Sequence, residues 1–77
     1  MTAEEAAAVL AEIAYRLRHD PEQAFRARAY GNAAATLNRL KPDLVGLRAE
    51  GRLESIPGIG SGIAKVLVEL LDTGASA

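Results

Sequence analysis

Apolar residues recur every three or four positions along most of this 77-residue chain, and no strand-length segment alternates with a period of two. That pattern admits helices and leaves no place for a sheet. Asp20-Pro21, Lys41-Pro42-Asp43 and Pro57-Gly58-Ile59-Gly60 then divide the helical run, because proline and glycine end a helix or begin the next one. The expected fold class is all-α: a compact bundle of four main helices plus a short turn.

Thr2 with Glu5 three residues later forms a capping-box pattern, and the alanine-rich run behind it favours helix through Arg18. Leu10, Ile13, Ala14 and Leu17 share the inward face. Asp20-Pro21-Glu22-Gln23 repeats the start signal, so a second helix is expected over 21–40, with Phe25, Ala29, Ala33, Leu37 and Leu40 inward and Ala34 allowing close approach. A short third helix over 43–50 turns Leu44 and Leu47 inward and ends at Gly51, a left-handed C-cap. One further turn spans 52–56. The last helix covers 61–71, with Ile63, Val66, Leu67 and Leu70 inward, Gly74 just beyond its end and 73–77 as a tail.

A chain this short hides only about 60% of its unfolded surface, so it makes one domain with a modest margin of stability. No cysteine is present to reinforce it. With His19 as the lone histidine, structural zinc is excluded. His19 itself reads as a partner for the C-terminal dipole of the first helix. The longest apolar run, residues 6–11, falls far short of the roughly 18 that suggest a membrane span, and Glu4 and Glu5 stand where an export signal would be basic. A cytoplasmic, nucleoid-associated location and no membrane partner are expected. The net charge of −1 conceals a segregated distribution: residues 1–24 carry −3, residues 25–66 carry +4, and Glu69 with Asp72 supplies the rest.

The informative stretch runs from Leu53 to Lys65, where a glycine-rich corner feeds directly into a helix. Glycine at 58 and 60 permits positive φ and removes the Cβ that keeps another molecule off the main chain. The first-turn amides of the next helix then face outward with the positive end of its dipole behind them, a setting that attracts phosphate. A dinucleotide fingerprint needs glycine where Ile63 stands, and a P-loop needs Gly-Lys-Ser/Thr where Ala64-Lys65-Val66 stands, so both are excluded. A structural alternative is that the glycines only let two helices turn sharply.

The pattern Leu53, Ile56, Pro57-Gly58-Ile59-Gly60, Ile63, Ala64, Leu67 resembles the helix-hairpin-helix motif, which would close the bundle. The resemblance implies a sequence-independent grip on DNA backbone phosphate by the amides of Gly58, Gly60 and Ser61, with Gly62 and Lys65 completing the contact. It also implies a potassium or sodium ion held by the Ile56 and Ile59 carbonyls, and Ile59 plugging the core. Phe25-Arg26-Ala27-Arg28-Ala29-Tyr30, Ala33-Ala34, Leu40, Gly51-Arg52-Leu53 and Leu71-Asp72-Thr73-Gly74 extend the likeness over residues 4–74. Together they look like the N-terminal lyase domain of family X DNA polymerases. That likeness implies gapped or duplex DNA as partner, Arg26, Arg28 and Tyr30 as phosphate contacts, and catalytic domains further along a parent chain.

The departures are at the chemistry. Val66 occupies the position of the Schiff-base lysine, and Glu54 and Gly62 replace other lysines of the phosphate pocket. Lys65 lies about 100° round the helix from position 66. The chain is therefore expected to be a DNA-binding module and no enzyme. The alternatives are a protein-interaction module of the same fold and a residual 5′-deoxyribose phosphate lyase working through Lys65. Phe25 is expected in the core rather than against a base.

Overall fold

A computed structural model describes residues 1–73. Its helices are α1 (Ala3–Leu17), α2 (Ala24–Leu40), α3 (Leu44–Ala49) and α4 (Ser61–Thr73), with short 3-10 turns at Pro21–Gln23 and Leu53–Ser55. No strand occurs among the described residues. Each expected helix is present, and the differences lie at the ends. Arg18 caps α1 instead of extending it, Pro21–Gln23 is a 3-10 lead-in to α2, and Asp43 and Glu50 cap α3. The final helix runs two residues past Leu71, to Thr73, and the rest of the expected tail, Gly74 included, lies outside the described residues.

Local chemistry explains these limits. The Thr2 hydroxyl accepts from the Glu5 amide at 3.1 Å while Glu5 Oε1 accepts from the Thr2 amide at 2.8 Å, which is the full reciprocal box. Asp20 and Asp43 accept from the Glu22 and Gly46 amides at 3.0 and 3.1 Å. Gly51 closes the short third helix with φ 68°, as its left-handed C-cap role requires. Lys41 ends α2 in the same left-handed region, with φ 48°, although it is not a glycine.

The centre of the bundle is a seam of small residues between α1 and α2. Ala3, Ala6, Ala7 and Ala14 of α1 and Ala33 and Ala34 of α2 are all buried there, small residues that let two helices pack closely, and Leu10 and Leu37 are fully buried beside them. Leu44, Leu53, Ile56, Ile59, Ile63, Leu67 and Leu70 extend this core toward α4. The buried face of α2 is Ala27, Tyr30, Ala33, Ala34 and Leu37, which corrects two expectations. Phe25 is 84% exposed and Leu40 is 45% exposed. Phe25 stands about 200° round the helix from Ala27, on the side away from α1. Leu40 sits where the chain turns off at Lys41. Ile13, Leu17, Ala29, Leu47 and Val66 are half-buried at the rim of the core. Arg48 pairs with Asp72 at 3.1 Å and ties α3 to the last turn of α4. No helix among the described residues is long and apolar enough to cross a membrane.

Candidate nucleic-acid interface

The Leu53–Ser55 turn delivers the chain to Ile56, and the Ile59 amide donates back to the Ile56 carbonyl at 3.0 Å. This closes a β-turn with Pro57 and Gly58 at its centre. Proline at the second position and φ 81° at Gly58 in the third are the requirements of a type II turn, so residue 58 must be able to adopt a left-handed conformation. Ile59 follows with its side chain 4% exposed, anchored in the core as expected.

Gly60 corrects the expectation of positive φ, because among the described glycines only Gly51 and Gly58 have it. A Cβ built on Gly60 or Gly62 would meet nothing within 4 Å. Neither the turn nor the core therefore asks for glycine at these two places. Their effect is to leave the main chain uncovered on its outer side.

Helix α4 begins from Gly60, whose carbonyl accepts the first helical bond, from the Ala64 amide at 2.9 Å. Gly60 has no side chain to cap the helix. The amides of Gly58, Gly60, Ser61, Gly62 and Ile63 find no acceptor among the described residues. Bare donors at the positive end of a 13-residue helix dipole favour an incoming oxyanion.

Helix α2 supplies the side chains nearest this corner. Phe25, Arg26, Ala29 and Tyr30 line a depression of about 440 Å³ with Gly58, Gly60, Gly62, Ile63 and Val66. Arg26 has no carboxylate within ion-pair distance among the described residues and donates only to Gln23 Oε1, at 3.3 Å. Lys41, Arg48 and Arg52, by contrast, each sit against an acid. Tyr30 buries its ring in the core and borders the depression.

The expected site residues thus divide. Arg26 and Tyr30 join the hairpin glycines, whereas Arg28 lines a different depression on the other side of α2. Lys65 and Ser61 line a third groove across α4, with Arg48, Leu53, Glu54 and Val68. Position 66, one residue on from Lys65, faces the Arg26–Tyr30 depression with an apolar side chain. Exposed Phe25 is a member of this site that sequence reasoning misses. The signal that finds it is the phase of Ala27, Tyr30, Ala34 and Leu37, which leaves residue 25 outside the buried stripe.

The family model of the helix-hairpin-helix domain matches residues 1–76. No curated protein and no solved structure matches the chain significantly. Domains of this kind generally bind nucleic acid, and the bare turn between Leu53–Ser55 and α4 lies within the matched residues. With the match spanning nearly all of its length, the chain belongs to the helix-hairpin-helix domain family.

Proposed function

We propose that the chain grips the backbone of DNA at a phosphate, without reading base sequence, through the amides of Gly58, Gly60, Ser61 and Gly62. The observation that carries this reading is the pair of glycines at 60 and 62 that the fold has no use for, placed over amides without internal acceptors. Arg26 adds a guanidinium free to pair with a phosphate, and Tyr30 borders the same depression. Phe25, exposed beside them, offers a flat apolar face to a sugar or an unstacked base, which suits a gap or strand end. The Ile59 carbonyl accepts no hydrogen bond among the described residues and the Ile56 carbonyl accepts one. Both therefore retain lone pairs for a potassium or sodium ion shared with that phosphate.

In this reading the chain is the tethering module of a family X repair polymerase, with catalysis supplied by other domains of a parent protein. It performs no lyase reaction, since the depression holds Val66, which has no nucleophile, while Lys65 lies in the groove across the helix. One hairpin and a few bases neutralise few phosphates, so the dissociation constant falls in the non-specific range of roughly 10⁻⁴ to 10⁻⁶ M at physiological salt.

Fluorescence anisotropy with gapped, duplex and single-stranded oligonucleotides over a salt series tests this. Binding should weaken steeply as salt rises. Gly62→Glu places a carboxylate in the first turn of α4, where the space is open and the helix dipole tolerates it. It should weaken binding by about tenfold or more, equivalent to ~1.4 kcal/mol. Absence of binding at low salt, or affinity indifferent to Gly62→Glu, overturns the proposal.

A further inference from the structure

The bases of α2 face two ways. Arg26 turns to the hairpin, whereas Arg28, two residues and about 200° further round the helix, lines a depression of about 330 Å³ together with Arg18, the C-cap of α1. Ala24, Ala27, Gly31 and Asn32 complete its lining, so no carboxylate borders it. Neither arginine belongs to any of the ion pairs among the described residues, and neither side chain donates a hydrogen bond there. Three other arginines are paired, Arg16 with Glu12, Arg48 with Asp72 and Arg52 with Glu50, whereas Arg26 and Arg39 also lack a carboxylate among the described residues but do not share a depression with a second arginine. Two guanidiniums bordering one depression without a counter-charge repel each other, and an anion between them removes that repulsion. The floor of alanine and glycine keeps the depression open. At Gly31 a Cβ would reach only to 4.0 Å from that of Ala14, so the seam itself leaves room for one.

We propose that this depression takes a second backbone phosphate of the same nucleic acid, so that the domain straddles a strand or a groove with α2 between its two points of attachment. The inference rests on the reading of the hairpin as the first of them. Arginine matches a phosphate with its planar fork of donors, and the Asn32 amide adds a neutral donor of the kind that fixes register without reading sequence. Opposite sides of a helix are on the order of 10 Å apart, or roughly three base-pair rises of ~3.4 Å. One phosphate cannot serve both places. The second attachment fixes the orientation of the domain on DNA, which the hairpin alone leaves free to swivel.

The slope of log affinity against log salt, measured by anisotropy on a gapped duplex, separates the possibilities. Arg18→Gln with Arg28→Gln should reduce the magnitude of the slope by about 0.9, the share of the one phosphate that the variant no longer neutralises. Arg16→Gln with Arg39→Gln removes the same charge from positions outside this depression and should change it far less. Arg18→Lys with Arg28→Lys should keep the slope and weaken binding, because the charge survives and the fork does not. If the Arg18/Arg28 glutamine variant keeps the wild-type slope, or if both glutamine pairs lower it equally, the second attachment is overturned. The hairpin reading then still stands, provided the wild type binds and Gly62→Glu weakens that binding. A wild type that binds no DNA at the lowest salt overturns both.

Discussion

Two helix starts in this molecule solve the same problem in opposite ways. At α1, Thr2 and Glu5 satisfy each other's backbone amides through their side chains, and Asp20 and Asp43 do similar work ahead of α2 and α3. At α4 the capping position is Gly60, and the amides that follow are bare. Both starts belong to the same small bundle, so the difference is no general poverty of capping residues. A helix start closed by its own side chains keeps fewer free donors, since at α1 only the Ala3 and Glu4 amides lack an acceptor among the described residues, while at α4 those of Gly60, Ser61, Gly62 and Ile63 all do. On the proposed function, the contrast gives α1 to stability and α4 to recognition. It also has a cost, because the open start must hold its shape without a cap.

Ile59 meets that cost, and its removal should give the largest stability effect. It is the only hairpin side chain between Pro57 and Gly62 that enters the core. Ile59→Ala should destabilise by about 2–5 kcal/mol, as large-to-small changes in cores do. That is a large share of the roughly 4–12 kcal/mol expected of a domain this size. Urea unfolding followed by circular dichroism measures it. A loss well under ~1 kcal/mol would mean that the corner keeps its conformation from Pro57 and Gly58 alone, and that its link to the core is incidental.

The helices and their starts are legible in the sequence because caps and proline are local signals, read within four residues. The hairpin is equally legible for the same reason. What escapes is rotational phase. Phe25 and Leu40 are as large and apolar as Tyr30 and Leu37 on the same helix, and size suggests that all four face inward. The close approach of α1 instead selects alanine at positions 27, 33 and 34, and α2 rotates to present them. That outcome depends on a neighbour distant in the chain, which hydrophobicity within one helix does not encode. The same rotation decides the interface, sending Arg26 to the hairpin and Arg28 away from it. At Gly60 the reverse holds: the residue type correctly points to an exposed main chain, but the positive φ expected there belongs to Gly58 and Gly51.

The sealed start of α1 yields the next largest effect. Thr2→Ala should cost about 0.5–2 kcal/mol, the range for losing a side-chain N-cap. The same box is sensitive to acid. The Thr2 amide, and after it the Thr2 hydroxyl, hold the Glu5 carboxyl below its ordinary range. The folded protein therefore binds this proton less readily than the unfolded chain. Its contribution is present at neutral pH and fades as the pH falls through the folded value. Glu5→Gln keeps an acceptor at the position but removes the titration. The wild type should be more stable than Glu5→Gln near neutrality and lose that advantage as the pH falls below the ordinary carboxylate range. A difference in urea midpoints that is the same at both ends would show that the box does not respond to its charge.

The smallest effect on stability is the sharpest test of the contrast. Gly60→Asp gives α4 a side-chain cap of the kind that Thr2 and Asp43 give α1 and α3, at a position with ordinary φ and open space for the side chain. Aspartate is a better N-cap than glycine by a few tenths of a kcal/mol, and its charge faces the positive end of the helix dipole. The variant should therefore be as stable as the wild type or slightly more so. Its carboxylate would accept from the amides that phosphate needs and repel the phosphate itself, so DNA binding should be lost as stability rises. A variant that gains stability and still binds would show that the amides of α4 are not the donors, and Arg26 with the aromatic rim of Phe25 and Tyr30 would have to hold the phosphate. A variant that loses stability would show that the glycine is required by the corner after all, and the distinction between a sealed and an open helix start would no longer rest on function.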